Sequence, residues 1–482
     1  MASSCFAFQV NGSVNRQSIS QTFDHFKTSL SSSVKPFLKE LQRNPMRIDV
    51  SKTMKQTTGR VLDAFVDSLF HFVDQPWLPS QIFQSNFAPV EEIGEAVQIT
   101  TIEGKIPADF PEGIYIRNGS NPLFGDLKST ISMFGRSSHI WVEGEGMLHA
   151  LYFTKDTHGN WTVSYKNKYV ESETFKLEKQ RNRPSFLPTV EGDSPAILAA
   201  YILNVLRFGT VTKHISNTNI FEHSGKVYTI AENYLPQEID IFTLETYNDW
   251  DINGSWDRPF SSHPKRAPGT GELVIMGVDA KKPFCVLGII SADGKKLSHK
   301  VDLKFNKSIL CHEVGVTQKY NVIMDYPLTV DISRVAKGGQ LIKYDKEGHA
   351  RIGVMPRYGD ADSIRWFEVE PHCTFHLFNC FEDGDEMEGI SEELIKVENH
   401  NFKENHFCSG AVFVSKDGGY EEDDGYIVSF VHDEDTNVSQ VHIIDTKKFG
   451  SEPVAKITLP QRVPYGFHGT YIAIPTKKIN KV

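Results

Sequence analysis

From Phe87 onward the chain is a succession of short apolar–polar alternations broken by turn residues. A chain written this way folds into sheets, because a two-residue period places one face of each segment in a core. YFTKDTHGNWTVSYKNKYV at 152–170 is a strand, a turn and a second strand. IFEHSGKVYTIAE at 220–232 repeats the pattern around Ser-Gly, and LIKYDKEGHARIGVMP at 341–356 around Lys-Glu-Gly. Hairpins at such short spacing predict an all-β sandwich, barrel or propeller. No fixed-period repeat of the common propeller families is present.

Two stretches break the pattern. Residues 59–75 form an amphipathic helix by periodicity: Val61, Leu62, Phe65, Val66, Leu69, Phe70 and Val73 share one face, and Asp63, Asp67, His71 and Asp74 the other, with Pro76 as the stop. Such a helix packs on a domain or lies on a membrane surface, and its aspartates suit peripheral membrane association poorly. SPAILAAYILNVLRFG at 194–209 is apolar nearly all round, with Pro195 suited to its first turn and Gly209 to its end. It either packs on the domain or forms a lid over a lipophilic site. No apolar run reaches the ~20 residues that span a bilayer.

Residues 1–58 have the composition of a leader. Through position 50 there are nine serines, six Lys or Arg and three acids, Asp24, Glu40 and Asp49. That composition fits a plastid transit peptide or a disordered leader, and it lacks the apolar core of a secretory signal. A cytoplasmic protein with a plain leader is the alternative. The net charge of −10 gives no basic surface for nucleic acid. Cys5, Cys285, Cys311, Cys373, Cys380 and Cys408 contain no C-x-x-C pair and read as mostly buried, reduced thiols. The acidic run EEDD at 421–424 reads as a solvated turn, since it lacks the EF-hand ligand spacing. A nucleophile elbow, a P-loop and a dinucleotide fingerprint are all absent from the sequence.

Histidines carry what chemistry the pattern shows. WFEVEPHCTFHLFNCFEDGDE, 366–386, alternates like a buried strand running into an acidic turn, and His376 lies inside it. A buried imidazole needs a partner or a ligand. His263, His312 and His468 occupy comparable apolar settings far apart in the chain. His372 and His376 have the i, i+4 spacing of a helical zinc pair, but on a strand they stand about 13 Å apart. Spacing alone leaves a large all-β protein with or without a metal.

The contexts of these histidines resemble the four histidine motifs of the plant carotenoid cleavage dioxygenases. FSSHPK, CHEVGVTQKYNVIMD, CTFHLFNCFEDGD and RVPYGFHGT stand in that family's order, supported by NFAPV, GIYIRNGSNP, VEGEGMLHALYF, AENYLPQEID and EEDDGYIVSFVHDE. The resemblance covers about 77–475, within a propeller domain drawn over 77–482. It implies a seven-bladed β-propeller with a helical cap. It also implies Fe(II) held by His263, His312, His376 and His468, and Glu232 as an outer carboxylate orienting one of them. Neutral imidazoles suit Fe(II) and four of them leave room for dioxygen. The implied reaction is oxidative cleavage of a carotenoid or apocarotenoid C=C bond by O₂ to two carbonyl products. Cleavage at 9,10(9′,10′) is the first expectation and 11,12 cleavage of a 9-cis-epoxycarotenoid the second. The implied location is the plastid, in stroma or plastoglobule. Polyene isomerisation on the same scaffold is a third, remoter reading.

Two departures stand against this. Only 24 residues, Gly384 to Phe407, separate Asp383 from Cys408, where the family carries a long stretch that includes its second glutamate. Material on the order of a blade is missing. The family's third glutamate position is Gly410 here. Both departures favour the alternative of a carotenoid-binding paralogue without turnover.

Overall fold

The computed structural model describes residues 62–74, 86–125, 127–382 and 397–474. The expected leader at 1–58 lies outside them. Among the described residues there are six antiparallel sheets of four or five strands, and five of them account for most of the chain. Three are simple meanders or close to it. Asn219–His223, Lys226–Ile230, Gln237–Ile239 and Thr246–Asp249 make the first. Lys265–Arg266, Leu273–Val278, Cys285–Ile290 and Leu297–Asp302 make the second, and Gly315–Val316, Tyr320–Asp325, Ala350–Pro356 and Arg365–Val369 the third.

The remaining two sheets interlock the ends of the domain. Gly469–Ala473 pairs with Gly113–Ser120, which continues through Gly146–Lys155 and Trp161–Tyr169 to Val97–Ile99. His406–Ser415, Gly425–Asp433, Val438–Asp445 and Ala455–Thr458 make a meander completed by the early strand Ile102–Gly104. Early and late segments therefore share two sheets.

Local chemistry explains the turns. His223 and Lys226 pair across a two-residue loop in which Ser224 and Gly225 have φ of 57° and 78°. This is the twist-matched turn that tight hairpins require. In the 156–160 turn, Asp156 Oδ1 accepts from the backbone of His158 and Asn160, each at 2.8 Å. The 341–356 stretch departs from its expected hairpin. A turn forms, with Gly348 N donating to Asp345 O at 3.0 Å. Yet Ile342–Tyr344 pairs with Leu328–Val330, and Ala350–Pro356 with Tyr320–Asp325. The turn residues were legible, but strand partners were chosen by tertiary packing.

The apolar helix spans Ser194–Phe208, starts with proline in its first turn and ends at left-handed Gly209, whose N–H returns to Val205 O. Among its described residues, the amphipathic segment is helical over 62–69. Phe70–Asp74 turns into a strand paired with Lys128–Ser132, so the helix expected to 75 ends early. Phe70 and Phe72 alternate as a strand requires, and pairing overrides the helical period there. Leu62, Phe65, Val66 and Leu69 pack with Ala200, Leu203 and Leu187, while Asp63 binds Arg181 and Arg207 at 3.1 and 2.8 Å. Its apolar face is thus spent within the domain. No helix of the described residues is long and apolar enough to cross a membrane.

The largest correction concerns 366–386. Residues 383–386 lie outside the described residues; among the rest only Arg365–Val369 is a strand, and 370–382 has no regular structure. Phe375, Phe378 and Phe381 are 45%, 104% and 75% exposed. Alternation makes a strand only where a neighbouring strand completes the ladder, and none of the described strands pairs with this segment. The cysteines are also less buried than expected: Cys285 and Cys311 are buried, Cys380 is intermediate, Cys373 and Cys408 are exposed, and Cys5 lies outside the described residues.

Candidate metal centre

Three of the four histidines immediately precede the opening strand of a sheet or its equivalent edge. His263 lies two residues before Lys265–Arg266, His312 three before Gly315–Val316, and His468 directly before Gly469–Ala473. Backbone bonds fix their positions: His263 N donates to His312 O at 3.3 Å, His468 N to Thr218 O at 3.1 Å, and Asn118 N to His468 O at 3.0 Å. His376 comes from the irregular segment.

All four converge. The His263 ring centre lies 4.6 Å from that of His312, 4.8 Å from His376 and 4.4 Å from His468. His376 is 4.9 Å from both His312 and His468. One ring nitrogen from each lies within 4.8 Å of the others, and Nε2 of His263 is 3.1 Å from Nε2 of His312. Two imidazole nitrogens bound at a right angle about 2.1 Å from one divalent ion would stand about 3 Å apart, so the donor set fits a first-row metal.

The electrostatics suit an acceptor of lone pairs. Burial, then the neighbouring His312, His468 and His376, depresses the His263 pKa far below the ordinary imidazole range. Burial pushes His468 down to about 4, with His376 and His312 adding to the shift. Imidazoles kept neutral in this way have nitrogen lone pairs to offer.

Outer partners hold two of the rings. Glu232, just past the strand Lys226–Ile230, is hydrogen-bonded to His312 Nδ1. Burial by itself would raise the Glu232 pKa, but this bond and the charge of His312 bring it below the usual carboxylate value. Glu313 Oε2 accepts from His376 Nδ1 at 3.0 Å and from Leu377 N at 2.9 Å, while Oε1 is paired with Lys265. Neither Glu313 nor Lys265 was singled out from sequence. Their only signal was adjacency, in CHEVG and HPK, to two of the histidines. Gly410 has φ of 70°, and a Cβ there would meet Arg117 Cδ at 2.5 Å.

His372 takes no part in the cluster; its Nδ1 donates to Glu370 O at 2.6 Å. The expectation that it stands apart holds, although the strand geometry used to reach it does not. In the acidic turn, Lys447 pairs with Glu421 and Asp423, and Lys416 with Asp424 at 3.0 Å. Glu421 and Asp423 are exposed, Asp424 is partly buried, and all three are already paired with lysine.

A β-propeller scaffold carrying four convergent imidazoles defines the class. The sequence profile of the family described as "RPE65: Retinal pigment epithelial membrane protein" matches residues 87–400 and 388–473. The chain belongs to this carotenoid oxygenase family. The match breaks into two pieces meeting at 388–400, within the shortened link. Carotenoid 9,10(9′,10′)-cleavage dioxygenase 1 of Pisum sativum is 27% identical over 545 residues, covering 90% of this chain and 96% of the relative. A 9-cis-epoxycarotenoid dioxygenase of Oryza sativa subsp. japonica, named as chloroplastic, is 24% identical over 506 residues, covering 83% of this chain and 78% of the relative. Among solved structures, the lignostilbene dioxygenase of Pseudomonas brassicacearum superposes with a TM-score of 0.66 at 20% identity, covering 83% of this chain and all of that one. These relatives are named as dioxygenases that cleave carotenoids or a stilbene.

Proposed function

We propose that this protein is an Fe(II)-dependent dioxygenase that cleaves a carotenoid or apocarotenoid at the 9,10(9′,10′) double bond. The observation that carries the reading is the convergence of His263, His312, His376 and His468, in a chain whose relative from pea is named for 9,10 cleavage. These four side chains would hold the iron, and Glu232 would fix the ring of His312. When bound, iron supplies the spin-forbidden chemistry of O₂, which side chains cannot. The protein's part is to leave the other coordination positions open and to hold one C=C bond of an apolar substrate beside them. Phe375 stands edge-on to His312 with ring centres 5.2 Å apart, an apolar surface next to the centre. The serine-rich leader and the chloroplastic name of the rice relative support a plastid location.

The test is anaerobic Fe(II) loading of the purified protein, followed by incubation with carotenoids under ¹⁸O₂. One iron per chain and labelled aldehydes or ketones from 9,10 scission are expected. Products of 11,12 scission of an epoxycarotenoid would replace the substrate assignment and keep the class. A second reading, a carotenoid-binding paralogue without turnover, is favoured by the exposed setting of His376 and by glycine at 410. It predicts bound iron and bound carotenoid with no oxygenated product.

A further inference from the structure

By the family resemblance, the second outer glutamate falls in the stretch that is missing between Asp383 and Cys408. The structure puts another carboxylate in its place. Glu313 is 3% exposed and divides its two oxygens. Oε1 faces Lys265, while Oε2 accepts from the His376 ring at 3.0 Å and from the backbone of the following residue, Leu377, at 2.9 Å.

We infer that Glu313 is the positioning residue for His376, substituting for the lost outer carboxylate and allowing the shortened chain to keep a four-imidazole centre. The inference rests on the metal-binding reading of the four histidines. Its physical basis is threefold. A carboxylate on Nδ1 fixes the tautomer in which Nε2 carries the free lone pair, and it raises the basicity of that nitrogen. His376 needs this support more than the other three, because 370–382 belongs to no sheet. The segment is held near its ends, where Tyr344 Oη donates to Pro371 O at 3.1 Å and Thr317 Oγ1 to Glu382 at 2.6 Å. Glu313 holds its middle through ring and backbone together.

Placement supplies the third part. Glu313 follows His312 and forms a parallel bridge with His263, so its backbone is fixed by two of the other histidine-bearing segments. A buried carboxylate is tolerated only when fully paired. Lys265 compensates its charge, and the remaining oxygen is committed to His376 and its neighbour. Glu313 thus does for His376 what Glu232 does for His312.

The test compares Fe(II) and Co(II) titrations of the full-length protein under anaerobic conditions, reading affinity and the visible absorption of the Co(II) form. Wild type is expected to bind one equivalent, Glu313→Gln to bind about 10- to 100-fold more weakly with an altered Co(II) spectrum, and Glu313→Asp to recover part of the loss. In a His376→Ala background, Glu313→Gln is expected to weaken binding no further. A Glu313→Gln loss under about threefold with an unchanged spectrum overturns the role of Glu313 while leaving the four-histidine reading intact. A wild type that binds neither metal overturns both. ¹⁵N-histidine spectra of the apo wild type provide a reading that needs no folded Glu313 variant. His376, assigned by its loss in His376→Ala, is expected as the Nδ1–H tautomer, and the Nε2–H tautomer would overturn the inference.

Discussion

Arg117 occupies the space that a side chain at Gly410 would need. Its Cγ and Cδ lie 2.6 and 2.5 Å from an ideal Cβ at that position, and its guanidinium is fixed by Ser409 Oγ at 2.7 Å and Pro464 O at 2.6 Å. Gly410 also sits at φ of 70°, where a side chain costs about 1–2 kcal/mol. Overpacking against a buried arginine adds about 1–3 kcal/mol. Gly410→Glu, which restores the residue type of the family's third outer position, is therefore expected to lower stability and to leave metal affinity unimproved. Urea unfolding and Fe(II) titration of the variant check both halves.

Glu232→Gln tests the other carboxylate. The ring of His312 loses its anionic partner while the side chain keeps its size. Metal affinity is expected to fall about 10- to 100-fold. The apo protein should unfold near the wild-type midpoint, since the amide oxygen can still accept from the imidazole. Fe(II) titration and thermal unfolding of one preparation separate affinity from stability.

The convergence of the four histidines was legible only through the resemblance of their contexts to the histidine motifs of one family, since spacing alone left an all-β protein with or without a metal. His263, His312 and His468 sit where a strand opens, and the turn and alternation signals around them are local. Glu313 was not legible, because its role depends on where His376 comes to rest. The fate of 370–382 was hidden for a related reason. CTFHLFNCF alternates as a strand should, but pairing is a property of neighbours that a single segment does not encode. The same limit applies to Ile342–Tyr344, whose partner is Leu328–Val330 and not the strand across its own turn. It applies again to Phe70–Asp74, where a ladder with Lys128–Ser132 cut short a helical period.

Phe378 and Phe381 make no comparable demand on the fold. They are 104% and 75% exposed, and surface changes of this kind usually stay within about 0.5 kcal/mol. The double variant Phe378→Ser/Phe381→Ser is expected to unfold at the wild-type urea midpoint. Exposed apolar residues promote self-association, so light scattering on concentration should fall.

Acid stability follows from buried histidines outside the centre. Burial, with Lys456, His400 and His406 adding, pushes His442 down to about 4, and burial does the same to His214. Burial also holds His149 well below the imidazole range. In the unfolded chain these groups titrate near 6.5. Below that pH the unfolded state takes up protons that the folded state refuses, so stability is fully present above about 6.5 and falls toward pH 4. The slope is at most about 1.4 kcal/mol per pH unit for each histidine. Urea unfolding at a series of pH values should show this limb, and His442→Gln should reduce its steepness by about one proton.

Lys213 ties the helix Glu173–Arg181 to the segment that carries Glu232. Its ammonium pairs with Glu145 and lies 3.7 Å from Glu178, all three being nearly inaccessible to water. Its carbonyl accepts from Asn233 Nδ2 at 2.5 Å, one residue from Glu232. Glu145 and Glu178 hold further backbone groups, Leu123 N at 2.8 Å and Phe186 N at 3.0 Å. Burial alone would lower the lysine pKa, but the two glutamates more than reverse this. Lys213→Met would leave two buried carboxylates facing each other without a cation, and removing one partner of such a pair costs about 3–5 kcal/mol. Replacing all three with apolar residues of similar size, Lys213→Met/Glu145→Leu/Glu178→Leu, removes the charges together. It should recover part of the loss, short of wild type because the bonds to Leu123 and Phe186 also go. Urea midpoints of the three proteins decide it: a single variant as stable as wild type would mean that the cluster is not a closed ion network.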